Sequence, residues 1–298
     1  MPFKGDPRYA APWLPAPLGA AWDRGSDAIA KTLKRSKTAR RITPQRHLKT
    51  DFEAFDLQTA DGARLSAWFI PGTRTDLAVV LHHHYGGQKA TVLPWLAFFH
   101  GLGLPCLAFD ARGHAESDDS PEGRGSFPKR TADVDAACAE LRRRGFGRLL
   151  GFGQSQGAAT LVMAAPRNDL VGLILDSGPA PEMATAAWGL AGNMLGRTSK
   201  EHPRSRALLA VRIIPGTEPL RYLATLWSSF VRLRSTPLLW IHGDQDSVIE
   251  RRWSNAWFAP LNGGHWRARE VPGADHVRTL PVGGKPLQDD VAAFIAGL

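Results

Sequence analysis

The sequence predicts an α/β architecture, a mostly parallel central sheet covered by helices on both faces, and three observations predict it. Short runs dominated by apolar residues recur along the chain, at 77–81, 105–109, 148–152, 171–175 and 238–242. Strands buried on both faces read this way, whereas a strand with one wet face alternates. Between these runs lie longer segments of helical period, such as 131–144, with Val134, Ala137, Cys138 and Leu141 on one face. Finally, 298 residues at 43% hydrophobic content suffice to bury a sizeable core.

Taken in order, residues 1–17 carry five prolines and predict irregular chain. Leu18, Trp22, Ile29 and Leu33 then form a helical stripe opposite Arg24, Lys31, Lys34 and Arg35. Such a helix packs on the body by its apolar stripe, or lies on an anionic membrane surface. Runs 52–57 and 64–70 read as strands joined at Asp61-Gly62, a hairpin signal. Strand 77–81, helix 92–100, strand 105–109, helix 131–144 and strand 148–152 follow. Pro166 is expected to end the next helix, which begins after Gly157. After strand 171–175 the alternation lapses over 179–235, a Trp-, Arg- and Pro-containing stretch that reads as a helical cap inserted into the core. It resumes with strand 238–242, helix 253–261, strand 266–271 and a helix near 287–298. The division expected is a basic arm over 1–50, a core over 51–178 and 236–298, and a cap over 179–235.

The net charge of +9 is unevenly placed. Residues 1–50 hold eleven basic and three acidic side chains, a net +8, which leaves +1 for the rest. The basic character belongs to the arm, and no helix-turn-helix, zinc-finger or aromatic-interleaved pattern accompanies it, so nucleic acid is not an expected partner. A weak contact of the arm with a membrane surface is compatible with its charge. No apolar run approaches a membrane span, and the N-terminus lacks the apolar core of a secretory signal. Cys106 and Cys138 both fall in apolar surroundings and predict buried free thiols. A cytoplasmic location is the default expectation.

One pentapeptide organises the chemistry, Gly153-Gln154-Ser155-Gln156-Gly157. It joins a buried strand directly to a buried helix. So tight a corner forces its tip into strained backbone and leaves no room for side chains two positions either side, which suits Gly153 and Gly157. Ser155 then stands clear of the sheet, at the N-terminus of a helix. A serine hydroxyl needs a base to become nucleophilic, and an imidazole held by a carboxylate is such a base. Later strand ends supply both groups, in Gly243-Asp244-Gln245-Asp246 and in Gly273-Ala274-Asp275-His276. Parallel strands deliver their C-terminal ends to one edge of the sheet, where Ser155, Asp246 and His276 can converge.

With these residues in place the chain resembles a serine hydrolase of the α/β-hydrolase superfamily, over about residues 52–298. The resemblance implies the α/β-hydrolase fold, with Ser155 as nucleophile and His276 as base. It favours Asp246 as the acid over Asp244, because the acid follows a glycine and two spacers. Asp176 remains a third candidate, since some relatives carry the acid one strand earlier. The family's His-Gly-X-Gly oxyanion loop falls on His83, His84, Tyr85 and Gly86, so the implied oxyanion donors are the backbone N–H groups of Tyr85 and Gln156. His84 departs from the glycine usual there and is a candidate pocket residue. The run from Asp110 to Ser117 resembles the family's Asp-x-Arg-Gly-His-Gly-x-Ser signature, which braces the loop beside the site. His82, His83 and His84 are adjacent, but on a strand-to-loop segment they point in different directions, and no metal is expected. His114 and His242 read as loop-tying histidines.

The resemblance implies hydrolysis of an ester through an acyl-enzyme, with no cofactor. Trp188, Met194, Leu195, Leu223 and Trp227 in the cap suggest an apolar pocket for a hydrophobic small-molecule ester. Thioesterase, acyltransferase, membrane-peripheral lipase and a non-catalytic binding protein are the alternatives.

Overall fold

The computed structural model describes residues 42–119, 129–179, 207, 219–249 and 261–298. The stripe expected at Leu18 to Leu33, the pocket candidates Trp188, Met194 and Leu195, most of the cap and nearly all of helix 253–261 lie outside the described residues.

Eight strands form one sheet: β1 (Glu53–Gln58), β2 (Arg64–Ile70), β3 (Ala78–His82), β4 (Cys106–Phe109), β5 (Leu149–Gln154), β6 (Gly172–Asp176), β7 (Leu238–Gly243) and β8 (Trp266–Val271). Their spatial order is β1-β2-β4-β3-β5-β6-β7-β8. The β1–β2 hairpin turns at Asp61-Gly62, where Gly62 has a φ of 89°. That pair and β2–β4 are antiparallel, and every later pairing is parallel.

Helices cover both faces, and the strand side chains alternate between them. Val80 of β3 faces a cluster shared with α3 (Thr131–Arg143), α4 (Gln156–Asn168) and α5 (Pro219–Arg232). Val79 and Leu81 face the opposite cluster, filled by Trp95, Leu96 and Phe99 of α2 (Leu93–Gly101) and by Val291 and Phe294 of α6 (Thr279–Ala296). A short helix, α1 (Pro44–Leu48), precedes the sheet, capped by the Thr43 hydroxyl. Double coverage explains why the residues of β3, β4, β5, β6 and β7 are all buried and read as unbroken apolar runs.

Pro166 does not end α4; the helix runs on to Asn168 and stops at Asp169 in left-handed conformation. A proline costs a helix one hydrogen bond and crowds the preceding turn, and near the C-terminal end little helix remains to be disrupted. Pro219–Arg232, within the stretch assigned to the cap, packs on the body. Tyr222, Leu226 and Phe230 of α5 belong to the same core cluster as Leu161 and Val162 of α4. Among the described residues, no helix is long and apolar enough to cross a membrane. Cys106 and Cys138 are buried free thiols, and burial raises the pKa of both.

Candidate active site

Six parallel strands, β3 to β8, bring their C-terminal ends to one edge. In the register His82 pairs with Gly153, Gln154 with Asp176, Asp176 with Ile241, and Gly243 with Val271. Ser155 is the single residue between β5 and α4, with φ 51° and ψ −110°. The flanking glycines are required by space. A methyl on Gly153 would collide with the backbone of Gly157, and one on Gly157 with the carbonyl oxygen of His82. The Ser155 N–H donates to the Asp176 carbonyl at 2.8 Å, which anchors the corner to β6.

Three side chains from separate loops meet above this corner. His276 Nε2 lies 2.9 Å from Ser155 Oγ, and His276 Nδ1 lies 3.0 and 2.9 Å from the two oxygens of Asp246. A carboxylate at Nδ1 fixes the proton there, which leaves Nε2 to accept the Ser155 O–H. Asp246 is buried, and its Oδ1 also accepts the N–H groups of Val248 and Ile249 at 2.9 and 2.8 Å. These bonds hold the carboxylate toward the imidazole. Ser155 and His276 are half-buried.

The other candidates are occupied elsewhere. Asp244 accepts the Gly273 N–H at 2.6 Å on the exposed side of the loop. Asp176 is fully buried among four donors. His242 donates from Nε2 to the Ile249 carbonyl at 2.7 Å, which closes the loop that carries Asp246. Trp227 lies on α5 and is 46% exposed.

The loop after β3 is held by its own histidines. His83 donates from Nδ1 to the His84 carbonyl at 2.7 Å, and its Nε2 accepts the Ala111 N–H at 3.0 Å. His114 donates from Nδ1 to the Arg112 carbonyl and accepts the Gly86 N–H at 3.2 Å. His84 is half-buried and donates to the Tyr85 carbonyl at 3.0 Å. Burial, and secondarily the nearby His276, lowers its pKa, so it is uncharged near neutrality. Burial also takes His82 down to about 4 and His83 well below its ordinary value. Among the described residues, no group of three or more His, Cys, Asp or Glu is arranged to hold a metal ion.

With this geometry in view, the model of the Alpha/beta hydrolase family matches residues 69–288. The chain belongs to the alpha/beta hydrolase family. Among alpha/beta hydrolase structures it resembles the Pyrococcus furiosus esterase Pf2001, with a TM-score of 0.67 and 22% identity over 85% of this chain and 93% of that one. At that identity the likeness is one of fold. The uncharacterized protein YfhR of Escherichia coli strain K12 is 28% identical over 209 residues, 66% of this chain and 64% of its own length. The thiohydrolase aneE of Aspergillus aculeatus is 30% identical over 135 residues, 44% of this chain and 42% of its own. The chain thus spans less than two thirds of the length of these curated relatives.

Within this alpha/beta hydrolase the segment from Asp110 to Ser117 braces the loop, and its partners were not foreseeable from the motif alone. Asp110 accepts the Lys89 N–H at 2.6 Å and the Lys89 ammonium at 2.7 Å. Arg112 reaches Asp133 through Nε at 2.7 Å and Asp61 through both terminal nitrogens. Ser117 Oγ donates to the Asp110 carbonyl and accepts the Ser66 N–H. Lys89 and Asp133 are buried ions, which survive inside a protein only when paired. In sequence they look like ordinary surface charges; the one available signal was their opposition to a signature rich in charge.

Proposed function

We propose that this protein is a serine hydrolase that cleaves carboxylic esters of hydrophobic acyl or aromatic substrates through an acyl-enzyme. The observation that carries this reading is the hydrogen-bonded series from Ser155 through His276 to Asp246 at a strained strand–helix corner. In the proposed reaction Ser155 Oγ attacks the ester carbonyl carbon as His276 Nε2 takes its proton. Asp246 stabilises the imidazolium. The tetrahedral oxyanion is received by the backbone N–H groups of Tyr85 and Gln156, the second of which opens α4 and has no partner within that helix. Collapse expels the alcohol, protonated by His276. Water then repeats the sequence on the acyl-enzyme, with His276 as base, and releases the acid and free Ser155. His84, half-buried beside the loop, is the proposed pocket contact.

The test is turnover of p-nitrophenyl esters of graded acyl length. Hydrolysis that Ser155→Ala abolishes supports the reading, and no turnover at any length counts against it. A second reading, thioester cleavage or acyl transfer on the same three residues, is favoured by the similarity to thiohydrolase aneE. Comparing kcat/KM for an ester and a thioester of the same acyl group separates the two, and an added alcohol acceptor detects transfer.

A further inference from the structure

Asp176 ends β6 and pairs in register with Gln154, next to the nucleophile corner. Its carboxylate is fully buried, and four donors converge on it. Trp95 Nε1 and Gln154 Nε2 donate to Oδ2 at 3.2 and 2.9 Å. Ser177 Oγ and Thr279 Oγ1 donate to Oδ1 at 3.1 and 2.8 Å. Its pKa is raised, because burial outweighs the opposing pull of Gln154, Thr279, Ser177 and the nearby His276 imidazole. An indole N–H can only donate, so the surroundings are built to receive an anion.

Three non-glycine residues around the site adopt left-handed backbone: Ser155 at φ 51°, Ser177 at 57° and Val277 at 52°. For the β-branched Val277 this conformation is a genuine outlier, and it persists only where surrounding bonds enforce it. All three converge on Asp176. Its carbonyl accepts the Ser155 N–H, its carboxylate holds the Ser177 hydroxyl, and that hydroxyl accepts the Val277 N–H at 2.9 Å. Thr279, at the start of α6, ties the chain again on the far side of Val277.

We propose that Asp176 is a positioning residue that sets the Ser155 corner and the His276 loop in register with each other. The inference rests on the serine-hydrolase reading above. Asp246 bonds the imidazole directly, whereas Asp176 acts through the backbone that follows it. The groups facing His276 are Ser155 and Asp246 on its ring, Asp275 at its own N–H, and His84 and Asp176 at longer range.

The experiment compares the full chain with Thr279→Val, Thr279→Ser and Asp176→Asn. It reads the rate of phosphonylation by a fluorophosphonate, kcat and KM on a p-nitrophenyl ester, their pH profiles, and thermal unfolding. Thr279→Val should lower phosphonylation and kcat about tenfold with KM little changed, because the two reacting groups are misaligned. Thr279→Ser should restore both. Asp176→Asn should show the same fall, and the acidic limb of its rate profile should move to lower pH, because one negative charge near the imidazolium has gone. If Asp176→Asn does not fold, the Thr279 pair decides. Wild-type rates and pH profiles in Thr279→Val, or a loss confined to KM, overturn the inference alone. An unlabelled wild type overturns the serine-hydrolase reading and this inference with it.

Discussion

His276 Nε2 stands 2.9 Å from Ser155 Oγ, although 121 positions separate the two residues in the chain. That single side-chain hydrogen bond joins the two loops, and each is also held by supports of its own. The Ser155 corner is fixed by Gly153, Gly157 and the Asp176 carbonyl, the His276 imidazole by Asp246, and the backbone just after His276 by Ser177, whose hydroxyl accepts the Val277 N–H. Changes to these supports therefore have distinct, measurable consequences.

Asp246, the proposed acid, is the first of them. Asp246→Asn offers an amide where the imidazole needs an acceptor, which disfavours the tautomer that can take the serine proton. A fall in kcat of about 10⁴ is expected, while Asp176→Asn loses only about tenfold. Steady-state kinetics on both variants checks this. An equally deep loss in Asp176→Asn, with Asp246→Asn mild, reverses the assignment.

Space at the corner predicts stability as well. Gly157→Ala pushes a methyl into the His82 carbonyl and should cost about 1–3 kcal/mol. Gly101→Ala places its methyl in open space at the end of α2 and should be neutral or stabilising by up to about 1 kcal/mol. Urea denaturation of both variants reads the contrast.

The buried histidines give a pH dependence with a definite sign. The pKa of His82 is about 4 in the folded chain against an ordinary 6.5, because burial disfavours the charged ring. Between those values the unfolded chain binds a proton that the folded chain does not. The contribution is therefore intact above 6.5 and is lost as pH falls toward 4, by about 3 kcal/mol for this residue. His83, held well below its ordinary value, acts in the same direction. His82→Asn keeps a donor for the His83 carbonyl and removes the titration. Its stability should fall less steeply over that window than the wild type's, whatever its absolute value, as read by denaturant midpoints at each pH.

His114 supports the loop that carries Tyr85. His114→Ala strips the Gly86 N–H of its acceptor. Gly86 is exposed, so water can take over that bond, and the loss of stability should stay within about 1 kcal/mol. With the Tyr85 N–H displaced, kcat should fall about tenfold or more with KM little changed. A loss of stability without any change in kcat would separate this loop from the chemistry.

Much of the fold was legible because double burial leaves a plain mark: the central strands are unbroken apolar runs, and each lies within two residues of its expected place. Pro166 misled because its penalty depends on how much helix follows. The role of α5 was hidden because a helix with one buried face reads alike on a cap or on a core. Ser155, His276 and Asp246 were visible because glycines and strand ends mark where side chains can emerge. Asp176 showed only as a further acid at a strand end. Its four donors come from positions 95, 154, 177 and 279, and no local pattern in the chain brings those together.

The most direct measurement is the intact mass of the protein after brief exposure to a fluorophosphonate, followed by peptide mapping. One phosphonyl adduct on Ser155, absent in Ser155→Ala and greatly slowed in His276→Ala, is the expected result. No adduct on the wild type, or an adduct on another residue that survives Ser155→Ala, would contradict it.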